Sequence, residues 1–169
     1  KSQELGFAYL SGQATAGASI DVYKCFDQIN RQLIYELADK AGMPKRVLEP
    51  YFRYIDQLEV RFQVGKTIGK GHVDRCSIPQ GCPFSMTMVA LIMIHWIRLM
   101  REIQVEPRVL ADDLMFTASG RHHRSSTIRA MKESKEFFQT MGARIADKKC
   151  FTFSTEPSTR KHLKEMRWD

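Results

Sequence analysis

The feature that most constrains the fold of this chain is an apolar run interrupted by two adjacent carboxylates. Residues 109–116 read Val-Leu-Ala-Asp-Asp-Leu-Met-Phe, so apolar side chains flank Asp112 and Asp113 on both sides. Short apolar runs are typical of buried strands, whereas aspartates are favoured in turns. The pattern therefore predicts a tight β-hairpin with the two carboxylates at its turn.

Composition limits the class of protein. The 169 residues include 26 Lys and Arg against 19 Asp and Glu, a net charge of +7, and 43% are hydrophobic. That apolar content suits one domain with a sizeable core and excludes extensive disorder. The positive charge favours a polyanionic partner, although it also fits plain solubility. Four cysteines without a C-x-x-C pair predict a reducing, intracellular compartment.

Hydrophobic periodicity predicts helices and short strands. Strict alternation from Leu58 to Val64 predicts a half-buried strand. Helices are expected from about residue 31 to Gly42, from Pro44 to about residue 55, from Pro83 to about Arg101 and from about Ser125 to Met141. Further strands are expected at 20–23, 73–78, 144–146 and 151–153. Helices packed on a mostly antiparallel sheet make this an α+β fold.

The longest apolar stretch, residues 86–97, is interrupted by Thr87 and His95. A helix that spans a membrane needs about 20 apolar residues. We therefore interpret this stretch as a buried helix and expect no membrane partner.

Three aspartates, Asp21, Asp112 and Asp113, stand in apolar surroundings. Burying an isolated carboxylate is costly unless it is paired or bound to a cation. If Asp21 lies on a strand beside the hairpin, the three would hold two divalent ions about 3.5–4 Å apart, an arrangement used in phosphoryl transfer. Mg²⁺, which prefers oxygen ligands, is the expected ion, with Mn²⁺ as the alternative. The simpler interpretation of Asp112 and Asp113 is a turn pair facing water.

A loop with a distinctive composition leads into the long apolar helix. Residues 77–85 read Ser-Ile-Pro-Gln-Gly-Cys-Pro-Phe-Ser. Gly81 permits close approach to a ligand, Gln80 offers a hydrogen-bond donor and an acceptor, and Pro83 suits a helix start. These residues are typical of a ligand-contacting loop, and an ordinary proline-initiated helix is the alternative.

The order of these motifs resembles the palm of reverse transcriptases, especially those of non-LTR retrotransposons and group II introns. Residues 20–27, Ile-Asp-Val-Tyr-Lys-Cys-Phe-Asp, are similar to the motif D-x-x-K-A-F-D, and residues 79–85 are similar to Q-G-x-P-x-S. Residues 110–113 stand where the family has Tyr-Ala-Asp-Asp, and residues 142–149 resemble G-L-x-I-N-x-x-K. Leu110 and Ala146 depart from the usual aromatic residue and asparagine. The resemblance covers about residues 20–153.

The resemblance implies a polymerase palm, with an antiparallel sheet packed on helices, plus part of the fingers, as one domain over residues 1–169. Full fingers and a thumb are not expected within it. The implied activity is that of an RNA-directed DNA polymerase, which transfers nucleotides from dNTP to a primer 3′-hydroxyl. The expected partners are an RNA template, a DNA primer and product, and dNTP. The domain would belong to a larger polypeptide or ribonucleoprotein in the nucleus or the cytoplasm.

The family's catalytic roles carry over by position. Asp21 and Asp112 would be the principal metal ligands, with Asp113 assisting and the Val22 carbonyl reaching the ion on the nucleotide side. Lys149 would protonate or neutralise the pyrophosphate leaving group, with Lys148 as the competing candidate.

Nucleotide and nucleic-acid contacts carry over in the same way. Phe26 falls at the sugar gate, where an aromatic ring excludes a ribose 2′-hydroxyl, and core packing is the alternative. Gln80 and Gly81 would line the nascent base pair and template. The basic side chains of the glycine-punctuated loop would contact template or primer phosphates, or would form a solvated face: Lys66, Lys70, His72 and Arg75.

Three other functions compete with this one. A viral-type RNA-directed RNA polymerase has a similar palm, but Phe26 argues against it. A catalytically silent palm would act as an RNA-binding scaffold, although such relatives typically lose the catalytic carboxylates. A ferredoxin-like binding module would need four ordered motifs to occur by chance.

Overall fold

The structure, a computed structural model, describes residues 12–166. Within these residues two compact units form, one from residues 12–23 and 93–166 and the other from residues 24–92. In chain order the elements are β1 (Thr15–Asp21), α1 (Cys25–Gln28), α2 (Arg31–Lys40), α3 (Lys45–Asp56), β2 (Glu59–Val60), β3 (Gln63–Val64), β4 (Thr67–Ile68), β5 (His72–Val73), α4 (Ser85–Glu102), β6 (Glu106–Leu110), β7 (Asp113–Ser119), α5 (His123–Thr140), a 3₁₀ turn (Asp147–Lys149), β8 (Phe151–Ser154) and α6 (Pro157–Glu165).

The first unit is built on an antiparallel sheet with the strand order β6-β7-β1-β8. Alternate side chains of β1 and β7 point to one face, where they are almost fully buried; they are Ala16, Ala18, Ile20, Leu114, Phe116 and Ala118. Helix α5 packs against β1 and β7. The remaining side chains of the two strands therefore point to the opposite face of the sheet.

Trp96 of α4 and Ser134 of α5 form a buried polar contact in this unit. The indole N–H of Trp96 donates a hydrogen bond to Ser134 Oγ at 2.9 Å, and both side chains are fully buried. A buried donor must be paired, because leaving it without a partner costs most of its hydration free energy. This hydrogen bond therefore explains a serine in an otherwise apolar helix contact.

The second unit contains a pair of helices with clear start signals. The Asn30 side chain accepts a hydrogen bond from the backbone N–H of Leu33 at the start of α2. Pro44 precedes α3, where its fixed φ suits a helix start. Phe52 of α3 lies edge-on to the ring of Tyr35 in α2, with ring centroids 5.2 Å apart. Both helices, and the predicted hairpin at 109–116, are confirmed.

The predicted half-buried strand from Leu58 to Val64 is wrong. Two two-residue strands occupy this region, β2 paired with β5 and β3 paired with β4, and residues 61–70 are all exposed. The expected strand from Val73 to Ile78 ends at Val73. The alternating apolar and polar residues of this segment therefore belong to small exposed hairpins. Alternation alone does not specify what packs on either face of a strand.

Two further strand boundaries differ from the sequence-based expectation. The first strand is Thr15–Asp21 and not 20–23, because the run of small residues before Ile20 is itself part of the ladder. Residues 144–146 form one isolated bridge, between Ile145 and Val22, and not a strand. The buried side of α5 contains Thr127, Ala130 and Ser134 besides Met131 and Phe138. Small and polar residues fit there because α5 lies close to the sheet.

In the described part of the chain, no helix combines the length and apolar character that crossing a membrane requires.

Ser134→Ala removes the acceptor of the Trp96 indole N–H. We expect the free energy of unfolding to fall by about 1–3 kcal/mol, because the N–H stays buried without a partner. A denaturant titration followed by tryptophan fluorescence measures the change. Ser126→Ala, at a half-buried position of the same helix, is the control and should change stability by less than about 0.5 kcal/mol. Equal losses in the two variants would contradict a specific role of the hydrogen bond.

Candidate active site

Asp21 and Asp113 lie side by side on neighbouring strands. The register of β1 and β7 pairs Asp21 with Asp113, and the register of β6 and β7 pairs Asp113 with Leu110. Residues directly opposite one another share a face of the sheet. The row Leu110-Asp113-Asp21 therefore crosses the face opposite the buried core, at the hairpin end of the sheet.

Asp112 lies in the two-residue turn that joins β6 to β7. Its neighbour Ala111 has φ +58°, a left-handed conformation that two-residue hairpins usually assign to Gly, Asn or Asp. A non-glycine residue in this region carries a conformational cost of about 1 kcal/mol or more. Of the three aspartates, Asp113 is exposed, and Asp21 and Asp112 are half-buried. They lie where strands end and water reaches the sheet.

Lys149 places a positive charge against Asp21. Its Nζ atom lies 3.5 Å from Oδ1 and 3.4 Å from Oδ2 of Asp21. The 3₁₀ turn that carries Lys149 is attached to the end of β1, because the N–H of Ala146 donates to the Asp21 carbonyl at 2.8 Å. Lys149 is 70% exposed and the Asp21 side chain 30%. Of the two candidate lysines, Lys149 is the one that contacts an aspartate of the site.

Cys150 supports the backbone of Asp21 from the same turn. The N–H of Asp21 donates to Cys150 Sγ at 3.4 Å. Burial raises the pKa of the Cys150 thiol, which therefore stays protonated beside the carboxylate. The adjacent Val22–Ile145 bridge uses the Tyr23 N–H and the Asp21 carbonyl, so the Val22 carbonyl takes no part in these two bonds.

A shallow recess of about 460 Å³ extends from Asp113 along the same face of the sheet. Its walls come from all four strands, with Ser19, Arg108, Val109, Leu110, Asp113, Leu114, Met115 and Phe151 as lining residues. Leu110 and Phe151 are more than half exposed. The recess therefore combines apolar walls with one carboxylate and one guanidinium.

The three aspartates offer the oxygen donors that Mg²⁺ prefers. The sheet register brings two of them together, and the third is their neighbour in sequence. In the described residues, however, no three His, Cys, Asp or Glu side chains converge as a metal site would require. The carboxylate oxygens therefore suit a hard divalent cation, and Asp21 and Asp113 are the two aspartates that the sheet register places opposite each other.

The second unit holds the loop of residues 77–85 against the segment that contains Phe26. The N–H of Ile78 donates to the Phe26 carbonyl and the N–H of Ser77 donates to the Ile29 carbonyl, both at 3.0 Å. Phe26 is half-buried. Two motifs that lie about 50 residues apart in sequence are thus neighbours, so Phe26 and the Gln80–Gly81 loop form one local surface.

Arg31 fixes this loop, and sequence reasoning missed it. Its Nε donates to the Ser77 carbonyl at 2.8 Å, and its guanidinium lies 3.6 Å from Asp56. Arg31 is only 6% exposed, and Ser77 has φ +87°. A buried arginine bonded to a backbone carbonyl in a rare conformation indicates a positioning role. Periodicity could not reveal it, because an arginine at the start of a helix is ordinarily exposed.

Contacts within the loop complete its shape. Ser85 Oγ donates to the Pro79 carbonyl at 2.6 Å, which closes the loop at the start of α4. The Cys82 thiol donates to the Tyr51 hydroxyl at 3.9 Å, and burial raises the pKa of Tyr51 to about 12. Gly81 has φ +82° and is exposed beside Gln80. This left-handed conformation favours glycine, and the exposed backbone at Gly81 is open to a ligand.

The structure brings the predicted site residues together in two groups. The first unit contains Asp21, Val22, Asp112, Asp113 and Lys149. The second contains Phe26, Gln80 and Gly81, and also Lys66, Lys70, His72 and Arg75, which lie on or beside the small hairpins of residues 59–73. Cys150 and Arg31 are the additions that the sequence did not single out.

Asp113→Asn removes the charge that faces Asp21 and keeps the size of the side chain. We expect the free energy of unfolding to rise by about 0.2–1 kcal/mol at low salt, because like charges on opposite strand positions repel. Salt should reduce this gain by screening. Denaturant titrations at two salt concentrations measure both effects. Asp147→Asn, in the nearby turn, is the control and should give no gain; a loss of stability in Asp113→Asn would contradict the repulsion.

Arg31→Met keeps much of the side-chain volume but removes the donor to Ser77. We expect a loss of about 1–3 kcal/mol in unfolding free energy, because the Ser77 carbonyl and Asp56 lose their partner, together with faster hydrogen exchange in residues 76–82. Arg46→Met, an exposed position on α3, is the matched control and should change neither. Unchanged exchange in Arg31→Met would contradict its role in holding the loop.

Comparison with known proteins agrees with these observations. Residues 3–165 match the family described as reverse transcriptase (RNA-dependent DNA polymerase). No curated protein matches the chain in sequence.

Two solved structures have a similar fold. Apo telomerase from Candida tropicalis, truncated from its C-terminal domain, has a TM-score of 0.67 at 13% identity, over 92% of this chain and 36% of that one. Telomerase from the same organism with the TWJ fragment of telomeric RNA has a TM-score of 0.67 at 12% identity, over 93% and 30%. This chain thus spans about a third of the length of those chains. The likeness confirms an α+β polymerase palm, and the match over nearly all of its length means that the chain belongs to the reverse transcriptase family.

Proposed function

We propose that this domain is an RNA-directed DNA polymerase, which adds nucleotides from dNTP to a primer 3′-hydroxyl on an RNA template. The observation that carries the proposal is the pairing of Asp21 with Asp113 beside the turn of the β6–β7 hairpin, with Lys149 Nζ 3.4 Å from Asp21. Two like charges on opposite strand positions lower stability. A cationic ligand bound between the two carboxylates would offset this repulsion.

The side chains of Asp21, Asp112 and Asp113 and the Val22 carbonyl would hold two Mg²⁺ ions, or Mn²⁺ in their place. Such ions, when bound, lower the pKa of an attacking hydroxyl and stabilise the leaving oxygen. Lys149 would hold a proton or a positive charge near the departing pyrophosphate. Its exposed side chain lets Nζ leave Asp21 for a phosphate oxygen, because a surface ion pair contributes about 0–1 kcal/mol.

Nucleotide selection is assigned to the second unit. The Phe26 ring would exclude a ribose 2′-hydroxyl, and Gln80 and Gly81 would contact the nascent base pair and template. The hydrogen bond between the Ile78 N–H and the Phe26 carbonyl supports this assignment, because it links the two segments that must act on one nucleotide. Arg31 would hold the loop in place through Ser77.

The proposed partners are an RNA template and a DNA primer. The net charge of +7 suits a polyanion, and the telomerase structure that contains an RNA fragment supports RNA in particular. Fingers and thumb surfaces beyond this domain would come from a larger polypeptide or ribonucleoprotein of the non-LTR retrotransposon or group II intron type.

The test is primer extension on an RNA template with Mg²⁺ and either dNTP or rNTP, using the longest polypeptide that carries the domain. We expect extension with dNTP, and a loss of at least about 100-fold in Asp112→Ala/Asp113→Ala, because metal-bound charge supplies several kcal/mol in such reactions. Asp147→Ala is the control that keeps the activity. Phe26→Val should raise the use of rNTP relative to dNTP.

Two results would overturn the proposal. Extension with rNTP alone would make the domain an RNA-directed RNA polymerase. Folded protein that binds RNA but gives no extension with either nucleotide set would make it a scaffold.

A further inference from the structure

The small hairpins of residues 59–73 expose apolar side chains that the fold does not use. Phe62 is 69% exposed, Val64 81% and Ile68 61%. The two ladders have only two residues in each strand, and residues 61–70 are all exposed. In the β3–β4 register Ile68 lies opposite Gln63, so Ile68 and Val64 point to opposite faces and these side chains do not form one apolar patch. Phe62 is the large aromatic side chain among them.

Phe62 and His72 form an exposed aromatic stack. Their ring centroids are 5.4 Å apart and the ring planes are inclined by 21°. His72 also lies 3.6 Å from Asp74, and its side chain is 44% exposed. Because Phe62 is 69% exposed, part of its ring stays open to solvent, and a further flat ring can stack on it.

The charge around this stack is unbalanced. Arg61 is paired with Glu59 at 3.0 Å. Lys66, in the turn between β3 and β4, and Lys70 and Arg75 are exposed, and none of the three forms an ion pair within residues 12–166. Basic side chains interleaved with an exposed aromatic ring are the combination that binds single-stranded nucleic acid, with the rings taking bases and the cations taking phosphates.

We propose that the hairpin segment 59–75 is a binding site for single-stranded nucleic acid, in which an unpaired base stacks on Phe62 of the Phe62–His72 pair while Lys66 and Lys70 contact the flanking phosphates. An unpaired base is required because the bases of a duplex are already stacked on one another. The inference rests on the proposed function, because it states that the polymerase binds its nucleic acid as a single strand at a place away from the catalytic residues.

Fluorescence anisotropy with a labelled, unstructured RNA oligonucleotide tests the site in the 169-residue chain. Phe62→Ala should weaken binding by about 5- to 150-fold, which corresponds to about 1–3 kcal/mol per stacked base. Phe62→Trp should retain the affinity. Val64→Ala is the matched control, since Val64 lies on the adjoining strand and is at least as exposed, and it should change the affinity less than about twofold. Thermal unfolding of each variant checks that the fold is kept.

The phosphate contacts have their own readout. Lys66→Gln/Lys70→Gln should lower the slope of log affinity against log salt by about 0.7 for each phosphate that the protein no longer neutralises. The corresponding DNA oligonucleotide separates RNA from DNA as the ligand, and weaker binding of either one by Phe62→Ala supports the site. A blunt duplex of the same length should bind Phe62→Ala and wild type equally.

Three outcomes would overturn the inference. Equal effects of Phe62→Ala and Val64→Ala would mean that the stack takes no base. Equal weakening on duplex and single strand would mean a charge effect without stacking. Unchanged RNA and DNA binding, together with Phe62-dependent self-association, would make the segment a protein contact. The oligonucleotide binding is measured without dNTP and requires no catalysis, so failure of primer extension and failure of this site are separate results.

Discussion

The register between β1 and β7 is the constraint on which the site depends. A slip of one residue would turn Asp21 toward α5 and Ile20 toward water, because successive side chains of a strand alternate between faces. The buried series Ala16, Ala18 and Ile20 prevents such a slip, since each of these side chains is packed in the core. The core of the first unit therefore positions the catalytic candidates without contacting them.

The open face of the sheet is held by weaker interactions than the core. Asp21 and Asp113 repel each other, Ala111 occupies a strained conformation, and Lys149 offers only an exposed ion pair. The first two features lower stability, the third contributes little to it, and all three are confined to the hairpin end of the sheet. In the second unit the same holds for Ser77, whose left-handed backbone is secured by the buried Arg31. Local instability at candidate functional positions, held by a well-packed framework, is the common pattern.

Local signals were the ones that sequence reasoning could use. The hairpin at 109–116 and the helix start at Pro44 follow from neighbouring residues, and they are confirmed. The pairing of β1 with β7 and β8 depends on packing between distant segments, which periodicity within one element does not specify. The exposure of Phe62 and the burial of Arg31 were missed for the same reason. Alternation and helical spacing describe a residue's own strand or helix, whereas the residues that pack against that element lie far away in sequence.

The position of β1 in the sheet also has a consequence for synthesis. Lys149, the ion-pair partner of Asp21, is synthesised 128 residues after it. Strand β1 pairs on one side with β7 and on the other with β8, so its pairing is complete only after residue 154 has been made. Loop closure over such separations is slow and leaves unpaired strand edges exposed meanwhile. During translation β1 therefore stays without its neighbouring strands longer than the helices stay without their own hydrogen-bond partners.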